Sequence, residues 1–423
     1  MHIAILGRQP ALGIAELERV FGGKFVTPLS PQSVRVDSES FEIQRFGGVL
    51  KAGKIISELS VSDWHQASQK IVQYYTNEWS SFEGKITLGI SAYNFNIDAR
   101  EVQKAGIILK QKLKKSGISL RLVPNLEPAL STATSHHNKL GLALNKVELI
   151  IVRTNENKVI IAESTGSQNI TAYAKRDQER PKRDAFVGML PPKLAQIMLN
   201  LATDATSISD PLQPKSDQAP GPLSDLERSR ITNRSASSGE HARQIILDPF
   251  CGTGVILQEA VLMGYSAYGT DLSEKMVSYS RDNLDWLSNN HHTKFDYKVS
   301  EGDAMNTKWQ QPIDVVVSET YLGQPFSAPP SPSKLAEVLK NCDHIITEFL
   351  INLRPQIESG TPVCIAVPAW RDNSGHFTHL PLVATVARYG YKPHEFTNIS
   401  QNDLLYYREN QIVARELLVL TKG

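Results

Sequence analysis

The chain has 423 residues, which is enough for two to four domains at about 150 residues each. Its 45 basic and 44 acidic residues give a net charge of +1, so only local clusters can indicate a nucleic-acid partner. Three widely spaced cysteines exclude a disulfide framework and a zinc site. No apolar run approaches about 18 residues, and the apolar start Met1–Gly7 is too short for a signal peptide. We therefore expect a soluble, cytoplasmic protein that holds no metal ion.

The N-terminal half alternates between strand-like and helix-like patterns, which predicts two small α/β units. Residues 1–60 form the first, an N-terminal α/β domain, with the predicted elements His2–Leu6, Gly13–Phe21, Ser33–Val36 and Gly48–Lys54. Residues 61–170 form the second, with helices Asp63–Tyr74 and Ala99–Lys115 and strands Lys85–Tyr93, Leu120–Val123, Val147–Arg153 and Lys158–Ser164.

Basic residues concentrate in the second unit and just after it. Between residues 100 and 146, nine Lys or Arg side chains stand against two acidic ones. Such a surface is either a phosphate-contact site for nucleic acid or an ordinary solvated helix face. A second cluster lies in residues 171–203, which we interpret as a basic helical connector that includes a helix over Pro192–Ala202. The candidate RNA contacts are Lys112, Lys114, Lys115, Arg121, Lys139, Arg176, Arg180 and Arg183.

Residues 204–243 are rich in Pro, Ser and Gly and have little to bury, which predicts a flexible linker or insertion. From residue 244 to 423, strands and helices alternate again. Alternation of this kind predicts a Rossmann-like, mostly parallel sheet with ligands at the carboxyl ends of its strands. We expect a helix over Phe377–Tyr389 and a final hairpin.

A glycine-rich turn at the start of this last unit indicates a ligand site. A short apolar strand ends at Asp248, the glycines Gly252 and Gly254 follow, and an apolar helix begins next. A phosphate-binding P-loop would need Lys and Ser or Thr after the second glycine, where Val255 and Ile256 stand. A dinucleotide fingerprint would need a third glycine at the position of Leu257.

S-adenosylmethionine fits this turn better, because it carries an amine and a carboxylate but no phosphate. The next two predicted strands end near Asp271 and Asp303, so three acids follow three successive strands. Asp248 can meet the ammonium group, Asp271 the ribose hydroxyls, and Asp303 the adenine amine. The alternative is that these acids only cap helices and turns. The flanking residues Phe250, Thr253, Leu272 and Ala304 complete the predicted cofactor site.

The end of the fourth strand is the predicted reaction site. An exocyclic base amine is a poor nucleophile, because its lone pair is delocalised into the ring. A carboxylate that accepts one of its N–H bonds can localise that pair and hold it in line with the methyl group. Glu319 is the candidate carboxylate, Ser318 precedes it, and Tyr321 can stack on an extruded base. The alternative is that residues 318–321 form an ordinary strand-to-loop turn without a catalytic role.

These residues resemble the THUMP-containing tRNA guanosine-N2 methyltransferases of the position-10 type. The motif Asp248-Pro-Phe-Cys-Gly-Thr-Gly254 is similar to their first motif. Segments 8–18, 177–181 and 189–195 are similar to other parts of the family, and residues 61–170 lie where its THUMP domain would be. The resemblance implies S-adenosylmethionine as the cofactor and tRNA as the partner. It covers most of the chain except residues 204–243.

One motif departs from the family pattern. Ser318-Glu-Thr-Tyr321 stands where the family has Asp or Asn, two prolines and Tyr. Alignment on the tyrosine places Ser318 under the family acid, whereas alignment on charge places Glu319 there, and we favour Glu319. Two other functions stay open: a catalytically impaired tRNA-binding protein that keeps its cofactor pocket, and an amino-methyltransferase acting on DNA. The sequence does not specify the target nucleotide, mono- or dimethylation, the oligomeric state or a small activator subunit.

Overall fold

The N-terminal half folds around one sheet of eight strands. In the computed structural model, which describes residues 1–184, 190–203, 243–310 and 312–423, the strands run in the order β2-β3-β1-β4-β8-β7-β5-β6. They are β1 (His2–Leu6), β2 (Val26–Ser30), β3 (Ser33–Val36), β4 (Val49–Leu59), β5 (Lys85–Tyr93), β6 (Ser119–Leu122), β7 (Lys146–Arg153) and β8 (Val159–Ser167). The helices of this half are α1 (Pro10–Phe21), α2 (Trp64–Glu78), α3 (Ala99–Lys115), α4 (Thr132–His137) and α5 (Ile170–Ala174).

The predicted boundary at residue 60 falls inside this sheet. Strand β4, from the first predicted unit, pairs antiparallel with β8, from the second, between Lys51↔Ser167 and Leu59↔Val159. The two units therefore share one hydrogen-bonded sheet and are not separated as expected. Local patterns identified the strands, but this pairing joins residues about a hundred positions apart, which no local pattern records.

The C-terminal half forms a second sheet with the strand order β11-β10-β9-β12-β13-β17-β15. Its strands are β9 (Ile245–Asp248), β10 (Ser266–Asp271), β11 (Tyr297–Glu301), β12 (Val315–Glu319), β13 (Pro362–Arg371), β14 (Phe377–Thr378), β15 (Tyr391–Pro393), β16 (Leu405–Tyr406) and β17 (Val413–Lys422). The helices are α6 (Pro192–Ala202), α7 (Val255–Leu262), α8 (Glu274–His291), α9 (Pro332–Leu353) and α10 (Pro381–Thr385). Strands β9 to β13 are parallel and β17 is antiparallel, so the predicted Rossmann-like sheet is confirmed.

Both faces of this sheet are covered by helices, as its apolar strands require. Along β9, Ile246 packs into the cluster with α6, α7 and α8, whereas Leu247 packs into the opposite cluster with α9. Neighbouring residues of a strand point to opposite faces, so continuous apolar runs serve two cores at once. Among the helices of the described ranges, none combines the length and apolarity that a membrane span requires.

The predicted helix over Phe377–Tyr389 is wrong in its first half. Phe377–Thr378 is a strand, and the helix begins only at Pro381. Proline restricts the preceding residue, and Leu380 is extended with ψ of 140°. The ring also suits the first helical position, so the proline starts the helix instead of lying within it.

Helix α1 joins the two halves through two buried glutamates. Glu16 accepts hydrogen bonds from the backbone N–H groups of Gly47 (2.9 Å) and Gly48 (2.8 Å) and from the Asn200 amide on α6 (2.7 Å). Glu18 accepts from the backbone N–H groups of Thr397 and Asn398, both at 2.7 Å, in the C-terminal half. Leu12 and Ala15 of α1 also belong to the apolar cluster on the second sheet.

Segment 171–203 is only partly the basic connector that the sequence predicts. Helix α6 is almost wholly buried and packs between α1 and α7. Arg176 forms a buried ion pair with Glu259, with Nε 2.6 Å from Oε1, and the Arg180 side chain has no exposed surface. Arg183 alone of the three predicted arginines is exposed. Residues 204–242, most of the predicted linker, lie outside the described residues.

A buried ion pair fixes the centre of the N-terminal sheet. Lys51 on β4 contacts Glu148 on β7, and the two side chains are 2% and 0% exposed. Ser91 on β5 donates to the same carboxylate at 2.6 Å, and the Leu130 carbonyl accepts from Lys51 at 2.7 Å. These bonds join elements that are distant along the chain.

Replacing Lys51 with Met is expected to lower the free energy of unfolding by about 3–5 kcal/mol, because Glu148 is then buried without its partner. Urea unfolding measures this change. Lys158→Met is the matched control, since Lys158 pairs with Glu58 at 2.9 Å on the same sheet but both side chains are more than 40% exposed. An equal loss in both variants would contradict the assigned role of the buried pair.

Candidate active site

The three predicted acids lie at one edge of the second sheet. Strands β9, β10 and β11 are parallel neighbours, with Gly269 opposite Asp248 and Asp271 opposite Glu301. Asp248 and Asp271 therefore end adjacent strands, and Asp303 follows the third. The carboxyl ends of parallel strands are the usual ligand site of such sheets.

The glycine turn between β9 and α7 is tightly constrained. Gly254 has a φ of +79°, and a Cβ at this position would lie 2.9 Å from the Ser280 Oγ. Ser280 donates to the Gly252 carbonyl at 2.8 Å, and Asn283 donates to the Thr253 carbonyl at 2.8 Å. Two side chains of α8 thus hold the turn, and the lack of a side chain at Gly254 allows this close packing.

Asp248 is the most perturbed acid of this edge. It is 2% exposed, and it accepts from the Ser318 hydroxyl at 2.6 Å and from the Phe250 N–H at 3.2 Å. Burial, with smaller contributions from the negative charges of Asp271 and Glu319, raises the pKa of Asp248 to about 8. Asp271 and Glu319 end the strands on either side of β9, so three acidic groups lie along this edge, which favours a cationic ligand group.

Asp271 anchors both the glycine turn and the start of α8. Its Oδ2 accepts from the Gly252 N–H at 2.9 Å, and its Oδ1 accepts from the Ser273 N–H at 2.9 Å. Burial raises the pKa of Asp271 as well. Leu272 beside it is 69% exposed, so its side chain is accessible to a ligand.

The other predicted cofactor residues have local structural partners. Asp303 accepts from the Met305 N–H at 3.0 Å and from the Asn306 amide at 3.2 Å, which is the turn-forming alternative considered above. The Ala304 carbonyl accepts from Asn352 at 3.0 Å, and the Phe250 ring packs edge-on against Phe349. These contacts fix the loops at this edge of the sheet. A cofactor role for these residues stays a prediction.

The end of β12 places Glu319 at the same edge, but Ser318 points elsewhere than expected. Ser318 is fully buried, and its hydroxyl bonds Asp248, so it supports that acid and is not exposed to a substrate. Glu319 forms an ion pair with Arg415 on β17, and the side chains are 16% and 8% exposed. Tyr321 is 40% exposed, as a stacking residue must be.

The predicted RNA contacts of the first sheet lie on its surface. Lys112, Lys114 and Lys115 are exposed in the last turns of α3, and Arg121 and Lys139 are exposed nearby in the chain. Cations at a helix C-terminus also interact favourably with its dipole, so the three lysines have a local role besides any phosphate contact.

Several residues of the site were missed by the sequence reasoning. Arg415, Ser280 and Asn283 all contact predicted site residues. The pair Arg415-Glu416 interrupts the apolar strand Val413–Lys422, which was an available signal. The sequence gave no signal for Ser280 and Asn283, because polar residues in a helix are usually exposed, whereas these two are buried.

The donor set fits S-adenosylmethionine. Asp248 can meet its ammonium group and Asp271 its ribose hydroxyls, and the absence of a cofactor phosphate matches a turn without Lys or Arg. A Cβ at Gly254 would meet Ser280 of α8, so this glycine lets the turn pack closely against that helix.

Comparisons with known proteins agree with this geometry. Residues 240–359 match a family model described as a methyltransferase domain. The chain is 28% identical over 198 residues, 46% of its length, to a tRNA (guanine(10)-N2)-dimethyltransferase of Methanothermobacter thermautotrophicus. It is 45% identical over 87 residues, 21% of its length, to a protein of the same description from Pyrococcus abyssi. The matches span only 44% and 22% of these relatives.

One solved structure resembles the whole chain. It is the crystal structure of TrmN from Thermus thermophilus, with a TM-score of 0.50 and 15% identity, and the match covers 100% of this chain and 99% of that one. At this identity, the likeness shows a shared fold. The C-terminal half of the chain therefore carries a methyltransferase domain.

Proposed function

We propose that the protein transfers a methyl group from S-adenosylmethionine to the exocyclic N2 amine of a guanosine in tRNA. The observation that carries this proposal is the position of Glu319, a carboxylate that ends β12 next to β9 and follows Ser318, whose hydroxyl donates to Asp248 at 2.6 Å. The relatives described as tRNA (guanine(10)-N2)-dimethyltransferases support the substrate class.

The chain's own residues would act mainly by positioning. The cofactor supplies an electrophilic methyl group on its sulfonium sulfur. Asp248, Asp271 and the Gly252–Gly254 turn would hold it against the sheet edge. Glu319 would accept a hydrogen bond from the amine and direct the nitrogen lone pair along the line of transfer. Tyr321 would stack on the extruded base, which contributes about 1–3 kcal/mol.

The N-terminal sheet would hold the tRNA. We propose that residues 61–170 form a THUMP-like RNA-binding region and that Lys112, Lys114, Lys115, Arg121 and Lys139 contact phosphates, with Arg183 nearer the methyltransferase domain. Arg176 and Arg180 are left out of this surface because Arg176 is partly buried in its ion pair with Glu259 and Arg180 is buried. The three free cysteines, all buried, suit the cytoplasmic location that we also propose.

The assay is methyl incorporation. Purified protein, labelled S-adenosylmethionine and unmodified tRNA should yield labelled tRNA, and mass spectrometry of its nucleosides should show N2-methylguanosine. Incorporation into DNA alone would replace the proposal with an amino-methyltransferase acting on DNA. Tight cofactor binding with no turnover on any RNA would instead show a tRNA-binding protein with impaired catalysis, the alternative that the altered Ser318–Tyr321 motif favours.

A further inference from the structure

The corner after β12 lacks the two prolines of the family motif, and the structure holds it in two other ways. Thr320 donates from its backbone N–H (3.0 Å) and from its Oγ1 (2.9 Å) to one acceptor, the Ala366 carbonyl on β13. A proline at this position has no N–H and no hydroxyl, so it could make neither bond. Hydrogen bonds therefore restrain the backbone where a ring would otherwise restrain it.

The second restraint acts on the Glu319 carboxylate. Glutamate is one methylene longer than aspartate, and its extra rotatable bond lets the carboxylate occupy several positions. The Arg415 Nε donates to Oε1 of Glu319. Arg415 itself lies opposite Pro368 on β13, two residues beyond Ala366, which pairs with Glu319. Strand β13 lies between β12 and β17, so the Arg415 side chain reaches across β13 to Glu319.

We infer that Arg415 is a positioning residue, which fixes one oxygen of Glu319 and leaves the other to accept the hydrogen bond of the substrate amine. This inference rests on the proposed function. The Arg415 side chain is almost fully buried, and its planar guanidinium is rigid, so it loses little freedom when Nε binds the carboxylate. Buried ion pairs of this kind contribute more to defined geometry than to net stability in some proteins. The variant motif is then a rearranged catalytic corner and not a degraded one.

The test compares three variants of Arg415 by steady-state kinetics on tRNA, with active sites counted by cofactor binding. Arg415→Met keeps most of the side-chain volume and is expected to lower kcat roughly tenfold to a hundredfold, because the carboxylate is no longer held in place. The Kd for S-adenosylmethionine should change less than about twofold, since Arg415 does not touch the predicted cofactor residues. Arg415→Lys keeps the charge but loses the planar guanidinium. Its kcat should lie between that of the wild type and that of Arg415→Met.

Chemical rescue separates positioning from folding. In Arg415→Ala, added guanidinium ion at millimolar concentration should restore part of kcat, an effect that a purely structural role would not produce. His379→Gln is the matched control: His379 pairs with Glu416, the next residue of β17, at 2.7 Å, and is not in contact with Glu319. Its kcat should equal that of the wild type.

The outcomes distinguish the two levels of inference. Wild-type protein that methylates tRNA, together with Arg415 variants of unchanged kcat per bound cofactor, would overturn the role of Arg415 and leave the proposed function standing. A kcat loss matched by His379→Gln, or one that guanidinium does not rescue in a folded Arg415→Ala, would also overturn it. Wild-type protein without methyl transfer to tRNA would remove both.

Discussion

Glu319→Gln is expected to lower kcat about 100- to 1000-fold, because the amide replaces an anionic acceptor with a neutral group. The change is isosteric, so the side chain still fits beside Arg415 and Thr320 should keep both bonds to Ala366. Binding of S-adenosylmethionine should stay within about twofold of the wild type, as for a residue that acts on the substrate amine. Single-turnover methyl transfer measures the chemical step, and calorimetry measures the cofactor Kd.

Glu416→Gln is the control for loss of a buried carboxylate from the same sheet. Glu416 is 1% exposed and pairs with His379, so it is a paired carboxylate like Glu319, more deeply buried and at another position of the sheet. If both variants lose activity equally, the loss reflects general damage to the sheet. If Glu319→Gln keeps full activity, another group handles the amine and the assignment of Glu319 is wrong.

Cofactor affinity is expected to fall about 50-fold from pH 8 to pH 6, since one proton must leave Asp248 when a cation binds beside it. Burial raises the pKa of Asp248 to about 8 in the free protein, so its carboxyl is mostly protonated at pH 7. A bound ammonium or sulfonium group favours the ionised form and lowers that pKa. Calorimetry in buffers of different ionisation enthalpy should therefore show release of most of one proton at pH 7.

The variant Asp248→Asn tests whether the pH dependence of cofactor affinity comes from Asp248 or from another titrating group. The variant should bind the cofactor weakly, with little dependence on pH and no proton release linked to residue 248. Glu16, whose pKa burial raises to about 7, lies at the joint between the sheets and stays unchanged in the variant. A wild-type protein with pH-independent affinity between pH 6 and 8 would show that no cation binds next to Asp248.

The raised pKa of Asp248 also affects the folding stability of the cofactor-free protein, and this contribution falls with rising pH although cofactor affinity rises. An unfolded aspartate loses its proton near 3.8, whereas folded Asp248 keeps it up to about 8. Between these values the folded state binds the extra proton, so the contribution of Asp248 to stability decreases as pH rises from about 4 to about 8. Asp248→Asn should flatten this part of the pH–stability curve in urea unfolding experiments.

Local patterns predicted much of the secondary structure correctly. The bounds of Lys85–Tyr93, Ala99–Lys115 and Pro192–Ala202 agree with the structure, since strong periodicity and a proline at the helix start identify such elements. The three acids after successive strands were also predictable, because parallel strands bring their carboxyl ends to one edge.

Contacts between distant residues were not predictable from one sequence. Glu319 and Arg415 are separated by 96 positions, and no periodicity relates β12 to β17. The pairing of β4 with β8 and the burial of Arg176 and Arg180 depend equally on tertiary packing. A basic side chain in a polar segment is usually exposed, and only the position of Glu259 on a neighbouring helix makes Arg176 an exception.

The buried glutamates of α1 have a consequence for dissecting the molecule. Because α1 contributes Leu12 and Ala15 to the same apolar cluster as β9 and β17, neither half would keep a complete interior if made alone. Residues 1–203 and 243–423, produced together as two separate polypeptides, should instead associate into one particle. Reassembly of this kind would let each half be isotopically labelled on its own for spectroscopy.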